Sequence, residues 1–210
     1  MPRPVAEFRK PEIIQAAMAA MKKRGLPLPP YDTIASEAGL SRQLIRHYFA
    51  DPEELMVAVC DGLAAVYRDR LMKGIIAADK RERLSVFLDF YFNALAKDDL
   101  AKPEDDEIYD AMFALAAGSD RVRRNLYEQY SLLHHTVAHE IQLSHPDLPQ
   151  TACREIGFLF VSLMYGHWKM VASLGFSQRH NQVTRQAIDR LIASYKEHYE
   201  DPDLAEPCPS

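Results

Sequence analysis

Arg42, Gln43 and Arg46 fall within five residues, and the two arginines are four apart. On a helix that spacing puts long polar side chains on one side. An arginine can pair bidentately with a guanine edge and a glutamine with an adenine edge. The chemistry is therefore recognition of bases in the DNA major groove, with no bond made or broken. Ser41, His47 and Tyr48 flank these residues and, with Thr33 a little upstream, suit contacts to backbone phosphates.

Side chains read bases only when a rigid element carries them outward. Residues 34–55 supply the elements, in the order short helix, Gly39 turn, second short helix, buried apolar stretch, longer helix. This is the layout of a helix-turn-helix, whose second helix enters the groove. Ser41 can cap that helix, with Leu44, Ile45 and Phe49 facing inward. A preceding helix is expected over about 8–24, with Ile13, Ile14, Ala17 and Met21 inside. Gly25 and the Leu-Pro-Leu-Pro-Pro run end it. Pro30 opens the helix that runs through Ala38. Asp51-Pro52-Glu53-Glu54 begins the longer helix, expected to about residue 73.

Helical spacing continues over about 80–97, 103–117, 119–144, 150–174 and 180–199, with no alternating strand-type run. The expectation is an all-α chain of about nine helices. Residues 1–51 would form a helix-turn-helix DNA-binding domain, 52–200 an effector-binding and dimerisation domain, and 201–210 a disordered tail.

The net charge of −5 conceals an asymmetry. Residues 1–50 hold eight Lys/Arg against four acids, +4, which leaves −9 for the rest. A basic head on an acidic body attracts phosphate locally. Cys60, Cys153 and Cys208 form no disulfide or metal-knuckle pattern, and the N-terminus has no apolar signal segment. No apolar window reaches the ~20 residues needed to span a bilayer. These features imply a cytoplasmic protein without a membrane partner.

Within the body, Tyr91, Tyr127, His134 and Trp168 can each offer a polar tip inside an apolar wall, the composition of an effector pocket. Plain aromatic core is the competing reading. The helix at 150–174 is apolar nearly all round and needs two covers. Ile156, Leu159 and Leu163, with Leu191 and Tyr195 of the last helix, are candidates for a homodimer interface of four helices. The alternative is that one chain covers both faces. His135 and His139 have a metal-ligand spacing, but no carboxylate or cysteine has a matching place, so neither metal nor cofactor is expected. There is no phosphate-cradling glycine loop, nucleophile elbow or His-Glu-x-x-His, which argues against an enzyme. A helical ligand-binding or scaffold protein without specific DNA binding is the alternative function.

The pattern Ile34-Ala35-x-x-Ala38-Gly39-Leu40-Ser41, then His47-Tyr48-Phe49 and Glu53-Glu54-Leu55, resembles the TetR family of bacterial one-component regulators. The resemblance is close over residues 9–60. Beyond them only the length, helix count and Gly166-x-Trp168 context agree. It implies an all-helical homodimer that binds double-stranded operator DNA through N-terminal heads and an unidentified small-molecule effector through its C-terminal domain, usually as a repressor. The chain departs from the family in three places. Pro29-Pro30 stands where Ser or Thr often caps the second helix. Gln43-Leu44-Ile45-Arg46 replaces the common Gly-Thr-Leu-Tyr, and Pro52 replaces a lysine.

Overall fold

The computed structural model describes residues 5–24, 29–77, 83–95 and 100–199; the expected tail at 201–210 lies outside them. Among the described residues there are nine α-helices and no strand. They are α1 Val5–Arg24, α2 Tyr31–Ala38, α3 Arg42–Tyr48, α4 Pro52–Ala77, α5 Arg83–Tyr91, α6 Asp106–Ala116, α7 Asp120–Ser144, α8 Gln150–Trp168 and α9 His180–His198. The expected helix through residue 174 changes character at Trp168, and Lys169–Ser173 form a π-helical turn. None of the described helices is long and apolar enough to cross a membrane.

The chain packs as two compact units. The first comprises residues 1–68 and 103–129, and the second 69–102 and 130–210. This grouping concerns packing, whereas the division expected at residue 51 concerns which residues meet DNA. In the first unit Ile13, Ala17 and Met21 of α1 join Ile34, Ile45, Phe49, Leu55 and Met56 in a water-free core. Polar ties supplement it on the surface. Asp51 Oδ1 accepts the Glu53 N–H at 2.9 Å, while its Oδ2 meets Arg121 Nη1 at 2.9 Å. Asp61 Oδ1 accepts from both Asn125 and Gln129.

In the second unit, α8 turns Ala152, Ile156, Phe160 and Met164 inward, a stripe of i, i+4 spacing, with His167 and Trp168 at its end. Ile156 has no exposed surface within one chain, so it belongs to the core and is corrected as an interface residue. Its neighbours around the helix face outward instead: Phe158 is 62% exposed and Leu163 42%. A helix apolar on every side does not reveal by pattern which stripe goes in. Gly157 lets α8 approach α7 closely, since a Cβ there would lie 2.8 Å from the His134 carbonyl oxygen. Buried Glu140 is met by Arg83 at 2.6 Å, and Arg185 reaches both Asp89 and Asp189.

Candidate nucleic-acid interface

Local rules build α3, the candidate recognition helix. Gly39 takes φ +63°, a conformation that costs any residue with a Cβ, and the Gly39 and Leu40 N–H groups both donate to the Ala35 carbonyl. The chain reverses within two residues and delivers Ser41, whose Oγ accepts the Leu44 N–H at 3.1 Å. That bond satisfies one orphan donor of the new helix. Ile45 and Phe49 are buried, and Leu44 is half-buried. Arg42, Gln43, Arg46 and His47 are consequently exposed on the opposite side.

Side-chain bonds fix α3 against α2. The Tyr31 hydroxyl donates to the Phe49 carbonyl at 2.8 Å, which holds the C-terminal end of α3. Desolvation, with Asp51 nearby, raises the Tyr31 pKa and keeps this donor protonated. Arg42 Nη1 lies 3.1 Å from Asp32 Oδ2, an exposed pair. An open groove of about 500 Å³ is lined by residues 29–32 on one side and by Arg42 and Arg46 on the other. Lys23 pairs with Glu37 at 2.7 Å, linking α1 to α2.

The other candidates fall as follows. Ser41 is exposed, and Thr33 and Tyr48 are half-buried, with the Tyr48 ring edge-on to His47 at 5.2 Å. Asp32 and Tyr31 carry no motif signal of their own, and only their positions at the start of α2 make them partners of α3. Tyr91 and Trp168 come together in the second unit, where the indole N–H donates to the Tyr91 carbonyl at 3.0 Å. The Tyr91 ring packs on Phe160 and Phe87, and its burial raises the phenol pKa. His134 instead places Nε2 2.8 Å from the Arg154 carbonyl. Tyr127 is a correction: it is 72% exposed, on the outer side of an α7 turn whose inner residue is Leu126. Of the remaining interface candidates, Leu159, Leu191 and Tyr195 are half-buried, and the Tyr195 hydroxyl donates to Glu155 at 3.0 Å. His139 is exposed, and the His135 ring meets the Ser131 carbonyl at 2.7 Å. Among the described residues no group of three His, Cys, Asp or Glu is arranged to hold a metal ion.

No family model matches the chain. Its curated relatives include two proteins named HTH-type transcriptional regulator BetI. That of Rhizobium meliloti (strain 1021) is 31% identical over 119 residues, covering 56% of this chain and 57% of the relative. That of Vibrio campbellii (strain ATCC BAA-1116) is 30% identical over 90 residues, 41% of this chain and 45% of the relative. The chain thus spans about half the length of these relatives. Solved structures match more fully. A TetR transcription regulator from Haloarcula marismortui ATCC 43049 has a TM-score of 0.74 at 16% identity, covering 90% of this chain and 98% of that one. A protein from Saccharomonospora viridis, solved in complex with choline, has a TM-score of 0.68 at 18% identity over 89% and 96%. The chain thus shares the all-helical fold of that TetR transcription regulator.

Proposed function

We propose that this chain is a transcriptional regulator that binds a near-palindromic operator as a homodimer and releases it when a small molecule occupies the C-terminal domain. The observation that carries the reading is α3 itself. Its apolar residues face the core, and Arg42, Gln43 and Arg46 stand exposed within a first fifty residues of charge +4 in a chain of −5. Residues 1–51 would meet DNA and 52–200 would bind effector and partner. The work is binding, not turnover, and it would take place in the cytoplasm, where Cys60 and Cys153 stay as free thiols.

The homodimer is supported by apolar surface that one chain leaves uncovered on α8 and α9. Phe158, Leu163 and Val183 are each more than 40% exposed. Exposed apolar residues gathered on two helices are characteristic of a surface that binds a partner. A twofold dimer sets its two recognition helices ~34–36 Å apart, one turn of duplex. The α4 helix has residues in both compact units, so it is the natural lever. An effector that prefers one head spacing would shift DNA binding by its differential affinity, typically about 1–3 kcal/mol.

Binding to the DNA upstream of the chain's own coding sequence, measured across salt concentrations, tests the proposal. Retention should fall steeply, with a log–log slope of about −0.9 per neutralised phosphate. Absence of retention, or a flat salt response, would overturn it. Sedimentation should give a dimer.

A further inference from the structure

Arg121, in the first turn of α7, directs Nη1 at Asp51 Oδ2, 2.9 Å away, with both side chains about half exposed. Asp51 stands at the junction of α3 and α4, where its other oxygen accepts the Glu53 N–H. Its chain neighbours Ala50 and Pro52 line the same groove as Arg42 and Arg46. The fields of Asp51 and Arg46 both reach the Tyr31 hydroxyl, which is bonded to the Phe49 carbonyl. A guanidinium from α7 is thus seated beside the C-terminal end of α3. Two further rungs keep it there. Asn125 and Gln129 follow Arg121 at i+4 and i+8 on the same side of α7, and both donate to Asp61 of α4. Val122 and Leu126 alongside them are buried.

We propose that Arg121 is a phosphate contact, so that the DNA-binding surface extends past residue 51 into the start of α7. This rests on the DNA-binding reading of α3 above and adds a residue that lies outside both the helix-turn-helix pattern and the basic first fifty residues. The start of α4 carries Asp51, Glu53 and Glu54, since carboxylates favour a helix N-terminus. Next to a duplex those acids repel phosphate. The major groove is ~12 Å wide, so a group packed against the end of a helix inside it lies close to a phosphate strand. Arg121 neutralises Asp51 there. With five N–H donors in a planar fork, it can hold the carboxylate by one edge and a phosphate oxygen by another. Lys10 of α1, 3.9 Å from Glu54, offsets a second of these acids. Arg123 cannot serve the same strand. Two residues on, it projects from the far side of α7 and pairs with Asp120 of its own helix at 2.5 Å.

Counterion release separates a phosphate contact from a structural one, because only the contact changes the salt dependence of binding. The full-length protein would be titrated onto two duplexes, the DNA upstream of its coding sequence and a random one, from ~50 to ~200 mM salt. Arg121→Ala removes one contact from each subunit of the proposed dimer. Its log–log slope should be shallower by about 1.8 on the upstream duplex, and similarly on the random one. Its deficit against wild type should accordingly shrink about tenfold across that range. Arg121→Lys, which keeps the charge, should restore the slope, and Arg123→Ala should match wild type. If Arg121→Ala does not fold, as judged by its helical circular dichroism, Arg121→Gln should show the same shallower slope, since it keeps a donor for Asp51 and lacks the charge. A wild-type slope in these variants, a change confined to one duplex, no rescue by lysine, or an equal change in Arg123→Ala would each overturn the proposal. With a steep wild-type slope, those outcomes leave the regulator reading standing. A wild type that retains neither duplex overturns both.

Discussion

Arg42 and Asp32 face each other across the helix-turn-helix, guanidinium to carboxylate at 3.1 Å, with both side chains more than half exposed. An arginine at the start of α3 is thereby held by the first turn of α2. If α3 meets DNA as proposed, the carboxylate would limit the rotamers from which Arg42 approaches it and add a negative charge that repels stray phosphate. Asp32→Asn should tighten binding to random DNA and lower the ratio of operator to random affinity. As an exposed pair contributes only about 0–1 kcal/mol, the melting temperature should hardly move. Competition gel shifts read the ratio; an unchanged ratio would refute the role.

Gln43 and Arg46 are exposed, while the neighbouring Ile45 is buried. Replacing either with Ala should relax preference at one operator position per half-site, at a cost of about 1–3 kcal/mol per contact. Selection from a randomised operator library shows whether the loss is position-specific. Uniform weakening over all sequences would mark these residues as phosphate contacts.

Gly157 tests the packing of α7 on α8. Gly→Ala inside an exposed helix ordinarily stabilises by about 1 kcal/mol. Here the added methyl would meet the His134 carbonyl at 2.8 Å and Ala138 Cβ at 3.2 Å, and a backbone oxygen cannot swing aside. Gly157→Ala should therefore lower stability by about 1–3 kcal/mol, the usual cost of overpacking. A urea melt that moved to higher concentration would contradict this packing.

Cys60 is buried beside Met112, its Sγ 3.0 Å from the thioether sulfur. Burial, reinforced by Asp61, raises its pKa from 9.0 to about 12. The folded state holds the proton more tightly, so this stabilisation is complete below pH 9.0 and is lost as the pH rises towards 12. The thiolate is the reactive form, and alkylation of Cys60 at pH 8 should wait for unfolding. Labelling followed by mass spectrometry should find Cys60 unmodified in the native chain and modified in denaturant.

Much of this molecule was legible locally. Ser41, Gly39 and Asp51-Pro52 are residues whose own backbone and hydrogen-bonding preferences start or stop helices, so α3 and the start of α4 fall where those preferences put them. The inward positions Ile45 and Phe49 follow from the spacing between those caps. The same spacing made Arg42, Gln43 and Arg46 exposed, because a seven-residue helix has only two sides to offer.

Three-dimensional packing decided what spacing leaves degenerate. On α8 nearly every side is apolar, so burial of Ile156 and exposure of Leu163 came from which stripe met the rest of its unit. Tyr127 and Trp168 are both aromatics at helical positions, yet one stands in solvent and the other beneath Lys102. The partners Asp32, Tyr91 and Lys102 are separated along the chain from the groups they serve. Local preference acts over one or two turns of helix, whereas these contacts exist only once distant segments have been brought side by side.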